Sequence, residues 1–258
     1  MIKVPQTRAE IDALINQFPQ GSMQREIITK IDTSDLTYRY DSLTDLKFEV
    51  NMRANIINSA YALNNSGMDF AVFRDTKCNE EYWNRNSDGG FTLKQGVKAS
   101  DAIADIFNNG RKYSTECATA MVIVYYKALL DIYPKALFDE TFKTITLMNW
   151  HYLDANLSEI GQMNAQSDNI PGDRRYFKNP DVDFATPEWQ GENTIDLGNG
   201  KYYGHGLGIY NAEQIISMLN ENRKEGSTQS AFLMDVAGNP NYKRLSGILN
   251  RYQPRAGA

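Results

Sequence analysis

Two cysteines and two histidines are the side chains of this sequence best suited to nucleophilic or proton-transfer chemistry. Cys117 lies at the start of a stretch, residues 118–132, in which apolar residues fall on nearly every face of a helix. This pattern predicts a helix buried in the core. With Ser114 as the N-cap, Cys117 falls in the first turn, where free backbone N–H groups and the helix dipole favour a thiolate. The same position would also suit an inert, buried cysteine.

A cysteine nucleophile needs a neighbouring group that accepts or holds its proton. His205 is favoured over His151, because it follows the Cys117 helix on a predicted hairpin strand, which is the order of papain-like enzymes. Two carboxylates are further candidates. Glu192 could be a surface turn residue or a partly desolvated base with a raised pKa. Glu116 could be a second carboxylate near the thiol or only a partner of the helix dipole.

The elements that position these residues are predicted from periodicity, capping residues and turn residues. A mixture of helices and hairpins without βαβ alternation predicts an α+β fold. Residues 1–40 are predicted to be an N-terminal extension, and residues 41–258 a single domain. No regular element is predicted within 153–190. The predicted helices are 8–18, 42–63, 101–109 with Ser100 as the cap, 114–132, 211–223 and 245–252; the predicted strands are 69–74, 81–85, 91–94, 143–148, 194–197 and 201–203.

Composition excludes several classes of protein. The formal net charge is −5, which does not favour a nucleic-acid surface, and no apolar run approaches the ~20 residues of a membrane span. The N-terminus has no apolar segment typical of a secretory signal, so both cysteines are expected to be free thiols. Two Cys and two His at scattered spacing do not predict a zinc site, and no acidic loop predicts a calcium site. We expect no metal and no cofactor.

Five blocks of the sequence, in order, resemble the Bacillus-type spore-coat transglutaminases, which are protein-glutamine γ-glutamyltransferases. The resemblance extends over roughly residues 40–250. The blocks are residues 113–120 (YSTECATA), 149–152 (NWHY), 176–180 (YFKNP), 189–193 (WQGEN) and 204–209 (GHGLGI).

The resemblance implies a papain-like core of the NlpC type, with a central buried helix packed on a small antiparallel sheet. It implies that Cys117 is the nucleophile, Glu192 its main acid/base partner, Glu116 an auxiliary carboxylate, and His205 the histidine of the ancestral papain-like site. It also implies a hydrophobic tunnel, for which Trp150 and Trp189 are the candidate lining residues.

The implied activity joins glutamine and lysine side chains of proteins through a Cys thioester, without calcium. The implied substrates are spore-coat proteins, and the implied location is the mother-cell cytoplasm and then the coat. Two other hypotheses remain open at this stage. One is a papain-like amidase or peptidase, in which water captures the thioester. The other is a structural coat component whose cysteine is inert.

Overall fold

A computed structural model describes residues 1–150, 152–157, 164–165 and 168–253. The helices are α1 Arg8–Gln17, α2 Met23–Thr33, α3 Leu43–Asn65, α4 Ala99–Asn108, α5 Cys117–Leu130, α6 Lys135–Thr141, α7 Ala212–Asn220 and α8 Tyr242–Arg251. The strands are β1 Ile2–Lys3, β2 Tyr38–Arg39, β3 Asp69–Phe70, β4 Trp83–Arg85, β5 Phe91–Leu93, β6 Ser114–Thr115, β7 Thr146–Leu147, β8 Asn164–Ala165, β9 Arg174–Lys178, β10 Gly191–Gly198, β11 Lys201–Gly204, β12 Gly208–Asn211, β13 Phe232–Leu233 and β14 Val236–Ala237.

The main sheet has five antiparallel strands in the order β12-β11-β10-β9-β13. Helices α3 and α5 pack on each other, and both contact β10. Helix α5 is buried along almost its whole length, as its apolar pattern predicts. The mixture of helices and antiparallel sheet confirms the α+β class. This arrangement places the N-terminus of α5 against the middle strand of the sheet.

Several local predictions are confirmed because they depend on short-range signals. The hydroxyl oxygen of Ser42 accepts the backbone N–H of Asp45 and so caps α3. Asn211 and Gln214 form a reciprocal capping box at α7. The hairpin β10–β11 turns at residues 198–200, all with positive φ. Strands β4 and β5 form the other predicted hairpin.

The predicted starts of two helices are wrong, in each case because a distant residue intervenes. Ser100 does not cap α4, since its backbone N–H and hydroxyl both donate to the Asp139 carboxylate of α6. Ser114 does not cap α5, because Ser114 and Thr115 pair with β3 as a parallel strand. Helix α5 therefore starts three residues later than predicted, at Cys117.

Other elements were not predicted from the sequence. Strand β9 lies within 153–190, a segment whose polar composition gave no strand signal, and it pairs with β10 and β13 in the main sheet. Helix α2 lies within residues 1–40, and its Ile27, Ile28 and Ile31 are fully buried in the same core as α3. No helix of the part of the chain that the structure describes is long and apolar enough to cross a membrane.

Candidate active site

Cys117 is the first residue of α5, and Glu116 is the N-cap of that helix. The Glu116 carboxylate accepts the backbone N–H groups of Ala118 and Thr119 as well as the Thr119 hydroxyl. In turn, Thr119 Oγ1 accepts the backbone N–H of Asn149 at 2.7 Å. The first turn of α5 is therefore closed by a buried carboxylate that is itself part of the helix cap.

Cys117 opens on a cavity of about 610 Å³. Phe70 and Phe73 supply part of its wall from one side, and Trp150 and Tyr176 from other segments. Glu116 and Asn193 are the polar neighbours of the thiol in this wall. The sulfur is thus accessible from a space whose walls are mostly apolar.

Glu192 lies on β10, opposite Phe177 of β9, and is 7% exposed. Burial raises the pKa of its carboxyl well above the ordinary value, and the charge of Glu116 raises it further. Contacts with the backbone N–H of His205 and with the Cys117 thiol act in the opposite direction. Glu192 Oε1 has no hydrogen-bond partner among the described residues. A buried carboxyl with one unpartnered oxygen beside a thiol can accept a proton near neutral pH.

The Cys117 thiol is not activated in the way that its helix position predicted. Burial raises its pKa, and the charges of Glu192 and Glu116 raise it further, whereas the backbone and side-chain N–H groups of Asn193 lower it. The backbone N–H groups of Ala118 and Thr119, which were expected to favour a thiolate, donate to the Glu116 carboxylate instead. The resting site therefore holds a neutral thiol next to a carboxyl of raised pKa.

His205 is 3% exposed and is bonded through both ring nitrogens. Nε2 lies 3.1 Å from the backbone oxygen of Asp69, and Nδ1 lies 3.0 Å from the Tyr203 hydroxyl. A carbonyl can only accept, so Nε2 carries the hydrogen and Nδ1 accepts the Tyr203 O–H. Burial lowers the pKa of the imidazole to about 4. The ring is thus held neutral, with no nitrogen left over for a substrate or for Cys117.

A second, smaller cavity of about 90 Å³ touches Glu192 and His205. Phe70, Glu188 and Gly191 contribute to the walls of both cavities. The structure therefore places Cys117 and Glu116 on the larger cavity, His205 on the smaller one, and Glu192 next to both the thiol and the smaller cavity.

The protein-glutamine gamma-glutamyltransferase family model matches residues 1–249. Proteins named protein-glutamine gamma-glutamyltransferase from Bacillus cereus (strain AH820) and Bacillus anthracis (strain CDC 684 / NRRL 3495) are each 46% identical over 218 residues, which is 84% of this chain and 78% of theirs. The chain belongs to this family.

The solved transglutaminase from Geobacillus stearothermophilus (without C-terminal extension) matches with a TM-score of 0.77 and 43% identity, over 83% of this chain and 100% of that one. The predicted family and the papain-like fold are both confirmed. Protein-glutamine γ-glutamyltransferases are transglutaminases, that is, acyltransferases that crosslink protein glutamine and lysine side chains, and this activity is the function that the family membership supports.

The two tryptophans expected to line a transglutaminase tunnel lie on different cavities. Trp150 lines the larger cavity, and the Arg174 guanidinium lies over its ring at 4.4 Å. Trp189 lines the smaller cavity. The rival histidine, His151, lies outside the described residues.

Sequence reasoning missed two residues next to the thiol. Asn193 donates from Nδ2 to Cys117 Sγ at 3.5 Å, and Arg174 donates to Asn193 Oδ1. Asn193 lies within the 189–193 block, and its position beside Glu192 was the only signal that could have identified it. Arg174 belongs to a pair of arginines that resembles a solvated surface, yet it is 2% exposed. Among the described residues, no group of three or more His, Cys, Asp and Glu side chains is arranged to hold a metal ion.

Proposed function

We propose that this protein joins glutamine to lysine through a γ-glutamyl thioester on Cys117, with Glu192 as the base. The observation that carries the proposal is the burial of the Glu192 carboxyl beside the Cys117 thiol, while both nitrogens of His205 are occupied. Both ring nitrogens of His205 and both carboxylate oxygens of Glu116 are hydrogen-bonded, whereas Glu192 Oε1 has no hydrogen-bond partner in the described chain.

In the first half-reaction, the thiol proton moves to Glu192 and the sulfur attacks the carboxamide carbon of a protein-bound glutamine. The C–N bond then breaks, and the departing NH₂ group takes the proton from Glu192 to leave as ammonia. The products are the thioester and a Glu192 carboxylate.

In the second half-reaction, the Glu192 carboxylate takes a proton from the lysine ammonium. This step is required because the ordinary pKa of lysine is about 10.4. The neutral amine adds to the thioester carbon and the C–S bond breaks. The proton lost by the adding nitrogen goes to the sulfur, and Glu192 returns its own proton to solvent. The product is an ε-(γ-glutamyl)lysine bond.

The two cavities suit two substrates. We propose that the larger cavity, onto which Cys117 opens, receives the glutamine side chain, and that the smaller cavity next to Glu192 receives the lysine chain. Trp150 would then line the cavity for glutamine, and Trp189 the cavity for lysine. Apolar walls favour the amine over water at the thioester, because they exclude solvent.

The test is incorporation of a fluorescent primary amine into a glutamine-bearing protein, with ammonia release measured in parallel. Cys117→Ala should abolish both signals. Cys78→Ala is the matched control, since Cys78 is a half-buried free thiol that does not line either cavity. Full activity of Cys117→Ala would refute the assignment of the nucleophile. Ammonia release without amine incorporation would instead establish a hydrolase.

We further propose that the protein substrates belong to the spore coat, a suggestion supported by the resemblance to Bacillus spore-coat transglutaminases. Labelling of coat extracts with a fluorescent amine should yield discrete bands with the wild type and none with Cys117→Ala. Because side chains of this chain supply the proton transfer, we expect the activity to persist in the presence of a calcium chelator. Loss of activity on chelation, with recovery on added calcium, would contradict this expectation.

A further inference from the structure

The Asn193 side chain lies between Cys117 and Arg174, and its orientation follows from these two neighbours. Arg174 Nη1 lies 2.9 Å from Asn193 Oδ1, and Asn193 Nδ2 lies 3.5 Å from Cys117 Sγ. A guanidinium has only donors, so the amide oxygen must face Arg174. The NH₂ group of Asn193 is therefore turned toward the sulfur.

Arg174 is in turn held on several sides. Its guanidinium lies over the Trp150 ring at 4.4 Å. On another side Gly238 leaves the space that it needs, since a Cβ at that position would come within 2.7 Å of Arg174 Nη2. Arg174 is 2% exposed and belongs to the central part of the sheet through β9. A side chain confined in this way can hold the amide of Asn193 in one orientation.

The Cys117 thiol requires a hydrogen-bond donor that stabilises negative charge on its sulfur. Two carboxylates, Glu116 and Glu192, oppose negative charge on the sulfur. The N–H groups of Ala118 and Thr119 at the helix N-terminus donate to Glu116. Asn193 supplies N–H groups from both its backbone and its side chain. A hydrogen bond to a charged group is about twice as strong as one to a neutral group, so these donors have their largest effect as the thiolate forms.

We propose that Asn193 is a catalytic residue that donates to the Cys117 sulfur as it becomes anionic, and that Arg174 is the positioning residue that fixes the direction of the Asn193 amide. The proposal rests on the proposed function, in which Cys117 is the nucleophile. In this arrangement the buried Arg174 cation acts on the thiolate through the Asn193 amide, without touching the sulfur or the substrate.

The test measures the alkylation rate of Cys117 by iodoacetamide as a function of pH, in a Cys78→Ala background so that a single thiol is observed. Asn193→Ala should move the midpoint of the alkylation rate–pH curve to higher pH. It should also slow alkylation near neutral pH by about 10- to 100-fold, which is the effect expected from losing a hydrogen bond to a charged group. Arg174→Met should move the midpoint in the same direction by less. Arg174→Lys, which keeps a cation beside Oδ1, should recover part of the loss. In amine incorporation, kcat should fall and KM should change little.

A double-mutant cycle separates action through Asn193 from general disruption. If Arg174 acts through Asn193, the double variant should show the same midpoint as Asn193→Ala alone. The double variant also removes both hydrogen-bonding partners together, which is less destabilising than removing one, so it provides a folded reference if a single variant is unstable.

Arg175→Met is the matched control. Arg175 lies next to Arg174 on β9, is also 2% exposed, and donates to the backbone oxygens of Met234 and Val236. This variant should lower Tm without moving the alkylation midpoint. Equal midpoints in wild type, Asn193→Ala and Arg174→Met, or an equal shift in Arg175→Met, would overturn the proposal. If alkylation of Cys117 leaves the enzyme active, the proposed function fails instead, and the two failures are thereby distinguished.

Discussion

Replacing Glu192 by Gln should raise the stability of the protein at neutral to alkaline pH and at the same time remove most of its activity. The carboxyl is 7% exposed, and its Oε1 has no hydrogen-bond partner within the described residues. Leaving a buried polar atom unpaired costs about 1–3 kcal/mol, and more when the group is charged. The amide of the Glu192→Gln variant is uncharged at every pH, so the part of this cost that is due to the charge would disappear wherever the wild-type carboxyl is ionised.

The sign of the pH dependence follows from the raised pKa of Glu192 in the folded state. Folding then favours the protonated carboxyl, so its favourable contribution is complete below the ordinary pKa. That contribution is lost as the pH rises through the folded pKa. The difference in Tm between Glu192→Gln and wild type should therefore be near zero at pH 4 and positive at pH 8.

The expected gain at pH 8 is roughly 2–12 °C, because 1 kcal/mol shifts the Tm of a chain of this size by about 2–4 °C. Amine incorporation should fall by about 10²- to 10⁴-fold, which is the usual contribution of a general base. Thermal unfolding at the two pH values and the amine assay supply both measurements. Glu225→Gln is the control, since Glu225 is exposed in the loop after α7, and its Tm should change little at either pH.

Two results would refute this reasoning. A Glu192→Gln variant with wild-type activity would remove Glu192 from proton transfer. A variant whose Tm differs from that of wild type by the same amount at pH 4 and pH 8 would show that the carboxylate is well solvated or paired in the folded protein.

Four further predictions concern the neighbours of Glu192. Glu116→Ala should lower the free energy of unfolding by about 1–2 kcal/mol in a denaturant titration, because three donors lose their acceptor at the N-cap of α5. Glu116→Gln keeps an acceptor oxygen but removes a charge that raises the pKa of Glu192, so the acid limb of the activity profile should move to lower pH; an unmoved limb would contradict this. His205→Asn should lower stability at pH 8. It should also weaken the loss of stability that wild type shows as the pH falls from 6.5 toward 4, since the imidazole is buried in its neutral form. If the pH profile of activity shows a histidine titration that vanishes in this variant, proton transfer would instead be assigned to His205. Gly204→Ala should reduce kcat with a smaller effect on Tm, because the new Cβ would lie 3.0 Å from Glu192 Oε1 and 3.1 Å from its Cγ; wild-type kcat in a folded Gly204→Ala would show that the carboxylate can shift without consequence.

The elements around Cys117 could be predicted where the signal is local. The apolar pattern of α5, the cap of α3 and the turn of the β10–β11 hairpin each depend on residues within a few positions of one another. Periodicity and turn chemistry describe such short-range relations well. The order of the motif blocks was sufficient to identify the family.

The detailed geometry of the site could not be predicted, since it depends on contacts between distant residues. The hydrogen bond between Asn193 and Cys117 spans 76 positions, and the bond from His205 to the Asp69 carbonyl spans 136. The first of these exists because Arg174 fixes which way the Asn193 amide points, and the second leaves an imidazole nitrogen unavailable. The sequence placed Cys117 in the first turn, but only the structure shows that Glu116 accepts the N–H groups that were expected to activate it.

A carboxylate base suits a crosslinking reaction better than an imidazole does, for a reason of charge. A thiolate–imidazolium pair would place a cation where the lysine ammonium must arrive, and like charges at close range repel strongly in a poorly solvated site. In the proposed mechanism, Glu192 carries a negative charge after ammonia has left, so it would attract the ammonium and then take its proton. The same carboxyl would thus serve both half-reactions, first against the thiol and then against the amine. His205 is neutral, and both its ring nitrogens are hydrogen-bonded. This state suits a carboxylate base, because a protonated imidazole beside Glu192 would compete with the ammonium for the same carboxylate.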